Sequence, residues 1–329
     1  MNDRVVDISI VIPVYNSEKS LPNLFQRLAE CARNIDRTFE LILIDDGSRD
    51  RSWNVLEKES KTCAIPVVAI RLMRNFGQHN AIMCGFRHAK GTYVVTMDDD
   101  LQNPPEEIER LLSHIEEHDL DLVYGSFDVG SGKKHSSWRN MGTRLVGVFF
   151  RSVFDVNVQT TSFRIIRKEL VDAVLSYSLN FTYIDGLLAW NTQRVGEVAV
   201  EHHPRTEGSS GYSVGKLLLL ALNLFTNFSI LPLQIVSILG MTFAAAGLVI
   251  GVYFVGQYMF GNIAIPGFAS TIISLLILGG VQMLSLGIIG EYVGRLHLNM
   301  NRKPQYVERT VQSTPTGADM PAGDAVMRS

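Results

Sequence analysis

The chain has 329 residues, a length typical of about two domains. Its 46% hydrophobic content and formal net charge of −3 exclude a disordered chain, a collagen-like chain and a strongly basic nucleic-acid-binding protein. Three cysteines without a metal-binding spacing predict free thiols in a reducing compartment. The 74 residues 217–290 contain no Asp, Glu, Lys or Arg. We therefore expect a soluble domain joined to an apolar one, and no nucleic-acid partner.

The first 205 residues predict alternating strands and helices. The strands are expected at 7–13, 39–44, 67–72, 92–97 and 120–124. The helices are expected at 18–34, 51–60, 80–89 and 104–118. This order predicts an α/β domain with a doubly wound, mostly parallel sheet, which binds ligands at the carboxyl ends of its strands. The N-terminal segment is too acidic, and its apolar run too short, for a signal peptide, so the domain is expected to stay in the cytoplasm.

Polar clusters follow several of these strands. Asp98 and Asp100, two positions apart after the fourth strand, can converge on Mg²⁺ or Mn²⁺, and such an ion would hold a diphosphate. The alternative for this cluster is an acidic turn that caps the following helix. Asp45 and Asp46 can accept hydrogen bonds from a base or a ribose, although Asp-Asp-Gly-Ser is also a common turn sequence. The polar loop 74–79 is equally compatible with an ordinary surface loop.

The apolar part predicts two membrane spans. Residues 232–258 and 268–290 are each long and apolar enough to cross a membrane, and basic residues lie only outside this pair. The positive-inside rule then predicts both termini in the cytoplasm. The flanks 212–231 and 291–310 are expected along the membrane surface, and the tail 311–329 is expected to be disordered. The alternatives are a helical hairpin buried in a soluble core, and flanks that simply extend the spans.

Six motifs occur in order along the chain. They are Ile12–Asn16, Asp45–Ser48, Arg74–Gly77, Asp98–Glu106, Gly290–Arg295 and Arg302–Tyr306. Together they resemble the family 2 glycosyltransferases of the GT-A fold, over about residues 7–307. Within that family the pattern is similar to the polyprenyl-phosphate glycosyltransferases, which include bacterial undecaprenyl-phosphate glucosyltransferases and formamido-arabinose transferases, and dolichyl-phosphate mannose synthase.

The resemblance implies an activity, a cofactor and a location. One sugar would pass from a nucleotide-sugar, with UDP favoured, to undecaprenyl phosphate, with Mg²⁺ or Mn²⁺ as cofactor. The chain would cross the bacterial inner membrane twice, with its catalytic domain and both termini in the cytoplasm. The lipid-linked sugar would then serve a cell-envelope glycan such as lipopolysaccharide or O-antigen. The resemblance also implies a homo-oligomer, since relatives form tetramers.

The resemblance assigns roles by position. The residues implied in nucleotide binding are Pro13, Val14, Tyr15, Asn16, Asp45, Asp46, Arg74, Asn75, Gly77, Asp98 and Asp99. The implied catalytic residues are Asp98, Asp100, Gln102 and Arg139, of which Asp100 and Gln102 would hold the metal. The implied acceptor-binding residues are Arg139, Thr143, Arg205, Tyr212 and Ser213. The implied donor-sugar specificity residues are Ser162 and Arg164.

Three positions depart from the family pattern. Phe127 stands where relatives often carry an acceptor-binding Arg, so that contact is either missing or supplied by Lys133, Lys134 or Arg144. Ser162 replaces an acidic residue, which could mean a different donor sugar. Ser17 replaces a Glu, for which Glu18 is expected to compensate.

Other functions fit parts of the pattern. A processive polysaccharide synthase would show a Gln-x-x-Arg-Trp motif and more than two spans, and the sequence has neither. A non-catalytic membrane scaffold has no need for oxygen ligands at the spacing Asp98-x-Asp100-x-Gln102. An enzyme that glycosylates another lipid or a protein is separated from the leading interpretation only by an acceptor assay. The loop 205–213 is expected to close over the donor and exclude water, with a plain linker as the alternative.

Overall fold

A computed structural model describes residues 6–126, 158–179, 181–201, 231–260, 268–301 and 303–314. The chain divides into two compact units, residues 1–211 with 304–329, and residues 212–303. The described strands are β1 Ile8–Val14, β2 Phe39–Asp45, β3 Val67–Leu72, β4 Tyr93–Thr96, β5 Leu122–Ser126, β6 Arg164–Arg167, β7 Val195–Ala199 and β8 Glu308–Ser313. The described helices are α1 Leu21–Asn34, α2 Ser52–Thr62, α3 Gln78–His88, α4 Ile108–Glu117 with a 3₁₀ turn before it at Pro105–Glu107, α5 Lys168–Leu175, α6 Ile184–Asn191, α7 Leu231–Met259 and α8 Phe268–Met300.

The first unit contains one eight-stranded sheet with the order β7-β5-β6-β4-β1-β2-β3-β8. The described pairings are parallel except those of β6 and β8, so the other six strands run in one direction. β1 lies between β2 and β4, with Val14 opposite Asp45 and Val11 opposite Thr96. The segments that follow β1, β2 and β4 therefore leave the sheet at the same edge. The expected α/β fold with a mostly parallel sheet is confirmed.

The central strands are buried because helices cover both faces of the sheet. In β1, Ile8, Ile10 and Ile12 belong to one hydrophobic core together with side chains of α1 and α4. Val11 points to the opposite face, where α3 packs so closely that a Cβ on Gly85 would lie 2.3 Å from Val11 Cγ1. Only glycine permits this approach, and the short distance fixes the position of α3 on the sheet.

Several predicted boundaries differ from the structure by a few residues, and two of them have a clear local cause. The helix expected from residue 18 begins at Leu21, because Pro22 fits only in the first turn of a helix. The strand expected from residue 120 begins at Leu122. Asp119, just before it, has a φ of 48°, and this left-handed conformation interrupts extended backbone.

The segment near the C-terminus is partly a strand. The sequence predicts disorder from residue 311, but Glu308–Ser313 forms β8, antiparallel to β3 at the edge of the sheet. Beyond the ladder, the Val67 N–H donates to Thr314 Oγ1 (2.9 Å), and Gln312 Nε2 donates to Glu57 Oε1 (2.6 Å). The prediction is therefore wrong for Val311–Ser313. An open sheet edge offers backbone groups that pair with a segment of almost any polarity, and hydropathy does not register this.

The second unit contains the two apolar helices α7 and α8. Leu233–Tyr253 and Ile277–Met300 are long and apolar enough to cross a membrane, and neither is buried as a core helix of a soluble protein would be. This agrees with the expected pair of apolar helices. The flank expected at 291–310 is not one surface segment, because α8 continues to Met300 and β8 begins at Glu308.

Candidate active site

A cleft of about 270 Å³ opens where the chain leaves β1, β2 and β4 and enters α3. The described residues that line it are Pro13, Val14, Tyr15, Asp46, Asn75, Gly77, Gln78, Asp98, Asp99 and Asp100. Parallel strands place their carboxyl ends at one edge of a sheet, so polar clusters that are distant in sequence meet here. All of these residues except Gln78 are predicted site residues, and their individual roles stay predictions.

Asp98 is held by side chains from two other elements. Gln78 Nε2 donates to Asp98 Oδ1 (2.7 Å), and Ser162 Oγ donates to Asp98 Oδ2 (2.7 Å). Gln78 is the first residue of α3, and Ser162 lies just before β6. Each carboxylate oxygen of Asp98 therefore accepts one side-chain hydrogen bond, and Ser162 contacts Asp98 directly. Gln78 can be recognised as a site residue only once α3 is known to begin at this edge.

The turn after Asp100 has an uncommon backbone. Leu101 has a φ of 57°, a left-handed conformation that costs a residue with a Cβ about 1 kcal/mol. Its side chain packs against the hydrophobic core, which offsets this cost. The Gln102 N–H donates to Asp100 Oδ1 (3.2 Å). Gln102, predicted as a metal ligand, thus donates its backbone N–H to Asp100. Gln102 is not among the described residues that line the cleft.

Asp99 faces the segment that follows β1. Ser17 Oγ donates to Asp99 Oδ2, and the Tyr15 N–H lies 3.4 Å from the same oxygen. The pKa of Asp99 is raised to about 6, chiefly by burial and also by the neighbouring carboxylates, while the two hydrogen bonds oppose the rise. The charge of this carboxyl group therefore changes near pH 6.

Ser17 has a role that the sequence did not predict. Its hydroxyl donates to Asp99, which the carboxylate of a glutamate at this position could not do. Glu18, expected to compensate, instead accepts a hydrogen bond from the Arg51 N–H (3.0 Å) at the start of α2. The expectation for Glu18 is corrected accordingly.

Asp46 fixes the loop that precedes α3. Its Oδ1 accepts from the Phe76 N–H (2.6 Å), and its Oδ2 accepts from the Gly77 N–H (2.9 Å). Burial raises the pKa of Asp46 from its ordinary value, and these two hydrogen bonds oppose the rise. Gly77 has a φ of 92°, which favours glycine at this corner. Both carboxylate oxygens of Asp46 thus bind backbone, although the residue also lines the cleft.

Asp45 lies deeper than Asp46. Its side chain is fully buried, its Oδ1 accepts from the Ser48 N–H (3.0 Å), and its Oδ2 lies 3.5 Å from Arg71 Nε. Asp45 is not among the described residues that line the cleft. At Gly47, a Cβ would lie 2.6 Å from the Arg74 carbonyl carbon, so the two loops pack backbone to backbone. Asp45 therefore holds its own turn, in contrast to its predicted contact with a nucleotide.

Three other predicted nucleotide residues take different positions. Tyr15 lines the cleft with an exposed ring. Asn16 has a φ of 55°, and its Oδ1 accepts from the Arg49 N–H (2.8 Å). The Arg74 guanidinium lies over the Phe76 ring, 4.4 Å from its centroid. Of these three, only Tyr15 is among the described residues that line the cleft.

Arg164 lies beneath the site. Its side chain is buried, forms an ion pair with Asp185, and donates from Nε to Thr96 Oγ1 (3.0 Å). Thr96 Oγ1 in turn donates to the Ser162 carbonyl oxygen (2.7 Å). The predicted contact of Arg164 with a donor sugar is therefore corrected, because the guanidinium is enclosed by protein. Arg164 supports the segment that carries Ser162.

Several predictions lie outside the described residues. They concern Arg139, Thr143, Arg205, Tyr212 and Ser213, the departure at Phe127, and the loop 205–213. All of them stay predictions.

The donor set of the cleft fits a hard divalent cation. Asp98 and Asp100 both line it and supply carboxylate oxygens, which Mg²⁺ and Mn²⁺ prefer. Magnesium in substrate complexes commonly takes only one or two carboxylates from the protein and its other ligands from phosphates and water. Among the described residues, a group of three Asp, Glu, Cys or His ligand atoms within 4.8 Å of one another occurs outside the cleft. The described part of the cleft contains no such group. The cleft therefore fits a cation site that the substrate would complete.

Comparison with known proteins identifies the family. Residues 9–175 match the sequence profile described as Glycosyl transferase family 2. The chain belongs to this family. The matched range runs from β1 to the end of α5 and includes every described residue that lines the cleft. The expected GT-A-type α/β domain and the glycosyltransferase class of the enzyme are thereby established.

Relatives match this family 2 glycosyltransferase along most of its length. The undecaprenyl-phosphate 4-deoxy-4-formamido-L-arabinose transferase of Pseudomonas paraeruginosa is 37% identical over 318 residues, 94% of this chain and 91% of that protein. The protein of the same name from Pseudomonas syringae pv. syringae is 36% identical over 327 residues, 95% of this chain and 93% of that protein. Among solved structures, S. aureus TarS 1-349 in complex with UDP-GlcNAc has a TM-score of 0.46 at 20% identity, covering 67% of each chain. The likeness to the relatives includes the apolar helices.

Proposed function

We propose that this glycosyltransferase transfers a single sugar from a nucleotide-sugar, with UDP favoured, to undecaprenyl phosphate. The acceptor is supported by the names of relatives that match more than nine-tenths of both chains. The product would be a lipid-linked sugar for modification of a cell-envelope glycan. The observation that carries the proposal is the meeting of Asp98 and Asp100 with Tyr15 and Asn75 in one cleft.

The cleft suits a nucleoside diphosphate. The exposed Tyr15 ring offers an apolar face on which a base can stack, and the Asn75 amide offers a donor and an acceptor at the opposite loop. Asp46 holds that loop by accepting the Phe76 and Gly77 N–H groups. In this proposal Asp46 shapes the nucleotide site without having to contact the nucleotide itself.

Asp98 and Asp100 would hold Mg²⁺ or Mn²⁺ at the diphosphate. Such an ion neutralises charge on the leaving diphosphate. Gln78 and Ser162 hold Asp98 in one orientation, which lowers the entropy lost when the donor binds. Ser162 touches a carboxylate at the sugar end of the proposed site, and through it the chain can select the donor sugar.

A strong general base is unnecessary for this reaction. The acceptor phosphate is already ionised at neutral pH and can attack the anomeric carbon directly, so positioning and electrostatics suffice. Arg139, Thr143, Arg205, Tyr212 and Ser213 are proposed to bind that phosphate, because a guanidinium and hydroxyl groups together match its oxygens.

The acceptor lipid accounts for the apolar unit. We propose that α7 and α8 cross the bacterial inner membrane, with the catalytic domain, both termini and the flanking segments on the cytoplasmic side. The reaction would then join a sugar from a soluble nucleotide-sugar to a phosphate at the membrane surface. A homotetramer, implied by the family resemblance, belongs to the same proposal.

A transfer assay on the full chain in detergent tests the proposal. The assay contains undecaprenyl phosphate, Mg²⁺ or Mn²⁺ and a panel of UDP- and GDP-sugars, one of which carries 4-deoxy-4-formamido-L-arabinose. The lipid product is detected by mass spectrometry. We expect one UDP-sugar to give a singly glycosylated lipid, and a chelator to abolish the product. Asp100→Asn should lose the product, whereas Asp36→Asn, the same change at an exposed site on the same unit, should retain it.

Two results would contradict the proposal. Nucleotide release without a lipid product would mean that the acceptor is a different molecule. Binding of UDP-sugars without turnover of any donor, in protein that is folded by circular dichroism, would favour the scaffold function.

A further inference from the structure

Three ligand-type side chains meet near the C-terminal end of α3, whereas the cleft lies at its N-terminal end. Cys84 and His88 are four residues apart on α3 and therefore share one face of the helix, and Glu308 is the first residue of β8. Glu308 Oε1 lies 3.0 Å from His88 Nε2 and 3.4 Å from Cys84 Sγ. All three ligand atoms lie within 4.8 Å of one another. The sequence separation of 220 residues between His88 and Glu308 hides this cluster from any local motif.

The separations are close to those of a tetrahedral metal site. Zinc binds Cys sulfur at about 2.3 Å and His nitrogen or Glu oxygen at about 2.0–2.2 Å, which places the ligand atoms about 3.3–3.7 Å apart. Small movements of the exposed ends of His88 and Glu308 would bring the observed set into this range. One thiolate and one carboxylate also balance the charge of a divalent zinc ion, with neutral His88 as the third ligand.

The surroundings allow a metal ion to enter and remain. Cys84 is fully buried, while the side chains of His88 and Glu308 are 27% and 29% exposed, so the cluster opens to solvent on one side. A water molecule from that open side would be the fourth ligand. The pairing of β3 and β8 is irregular at Glu308, where the register shifts between Arg71 and Leu72. Such bulges change the direction of a side chain, here beside Cys84 and His88.

We propose that Cys84, His88 and Glu308 bind a zinc ion that joins β8 to α3. This site is separate from the proposed magnesium or manganese site and holds no residue of the cleft. The same helix begins with Gln78, which orients Asp98, so a metal on its last two turns would also restrain that end. The zinc would have a structural role, since it would attach the last strand of the sheet to a helix of the catalytic domain.

The bound and unbound forms differ in the proton on sulfur. Without a metal, Cys84 is a thiol that donates to Glu308, and burial raises the pKa of the Cys84 thiol. Binding of zinc would release the thiol proton to solvent, move the ring proton of neutral His88 from Nε2 to Nδ1 through exchange with solvent, and replace two hydrogen bonds by metal–ligand bonds. A thiolate bonded to the metal is therefore the feature that the test must detect.

Cobalt substitution detects that bond directly. We would titrate the metal-free full chain in detergent with Co²⁺ and record the near-ultraviolet thiolate-to-cobalt charge-transfer band, then add Zn²⁺. We expect a band that saturates at one Co²⁺ per chain and disappears on addition of Zn²⁺. Cys84→Ser and Glu308→Gln should lose or weaken it. Cys63→Ser, the same change at a cysteine outside the cluster, should keep it unchanged.

Thermal unfolding provides a second readout. A chelator should lower the Tm of the wild-type protein, and this shift should vanish in His88→Asn. Absence of the charge-transfer band in the wild-type protein would overturn the proposal and leave Cys84, His88 and Glu308 as a hydrogen-bonded cluster only. A band that persists in Cys84→Ser would overturn it too, because the thiolate would then come from another cysteine.

Discussion

Two acidic strand ends lie on either side of the end of β1, and their carboxylates have different hydrogen-bond partners. Asp45 ends β2 and Asp46 follows it, and Asp98 to Asp100 follow β4, so the two strand ends look alike in sequence. The carboxylates after β2 accept hydrogen bonds from the backbone, at Ser48, Phe76 and Gly77. By contrast, Asp98 accepts from the side chains of Gln78 and Ser162.

This comparison distinguishes carboxylates that hold the loops of the site from carboxylates that can bind a metal ion or a substrate. A carboxylate bound by backbone N–H groups cannot change partners without unfolding a loop, because those donors belong to the fold. A carboxylate bound by an amide or hydroxyl side chain can exchange that donor for a metal ion or a substrate after a rotamer change. We therefore expect substitutions of Asp46 to act on stability first and substitutions of Asp98 to act on turnover first. Asp100 also accepts a backbone N–H, that of Gln102, and its substitution is expected to act on turnover because of its proposed role at the metal ion.

The largest effect is expected for Asp100→Asn. Loss of one negative oxygen from the proposed metal site should lower kcat/KM roughly a thousandfold, because electrostatic stabilisation of a developing charge has about this magnitude. The Tm should stay within a few degrees of the wild-type value. Steady-state kinetics and differential scanning fluorimetry measure the two quantities, with Asp36→Asn as the control. A large fall in the Tm of Asp100→Asn together with the fall in kcat/KM would contradict the distinction between the two strand ends.

Asp46→Ala comes next and should act mainly on stability. It leaves the Phe76 and Gly77 N–H groups without their acceptor, at a cost of about 2–4 kcal/mol in the free energy of unfolding. Urea unfolding monitored by tryptophan fluorescence would measure this. The KM for the donor should rise together with the loss of loop order. A stable Asp46→Ala protein with no turnover would show that Asp46 contacts the substrate directly.

Asp99→Asn should change the pH dependence of stability. In the wild-type protein the pKa of Asp99 is raised from 3.8 to about 6, so the folded state binds more protons than the unfolded state between these values. The free energy of unfolding should therefore fall as the pH rises from about 4 to 6 and stay lower above pH 6, by on the order of 3 kcal/mol. Asp99→Asn should lack this loss in metal-free buffer. Parallel pH profiles of the two proteins would refute the assignment.

The smallest effect is expected for Ser162→Ala. It removes one of the two side-chain donors to Asp98 and leaves the other, Gln78. A loss of about one hydrogen bond corresponds to roughly a fivefold to tenfold fall in kcat/KM. The relative rates with different donor sugars should change more than the Tm. Unchanged rates for every donor would argue against a role of Ser162 at the sugar.

The sequence predicted the sheet and most of the cleft for a physical reason. Alternating apolar strands and amphipathic helices specify a parallel sheet, and a parallel sheet gathers its strand ends, so the motifs at Tyr15, Asp46 and Asp98 meet in the structure. Gln78 could not be predicted in the same way, because its role depends on where α3 starts.

Arg164 and β8 show where local patterns mislead. An arginine in a motif suggests a ligand contact, but the ion pair with Asp185 that encloses Arg164 comes from a residue 21 positions away. The composition of the tail suggests disorder from Val311, yet Val311–Ser313 belongs to β8, which pairs with the edge of β3. In both cases the partner, Asp185 for Arg164 and β3 for β8, lies too far away in the sequence for local composition or motif spacing to indicate it.

Sequence alone therefore determined the family, the order of strands and helices, the apolar helices and the residue types at the strand ends, because these depend on local patterns. Tertiary structure decided which carboxylates accept hydrogen bonds from backbone N–H groups and which accept them from side chains that can exchange. It also decided that Cys84, His88 and Glu308 converge. Hydrogen bonding and metal coordination act over about 2–4 Å between atoms, and only the folded chain brings residues from distant positions to that range.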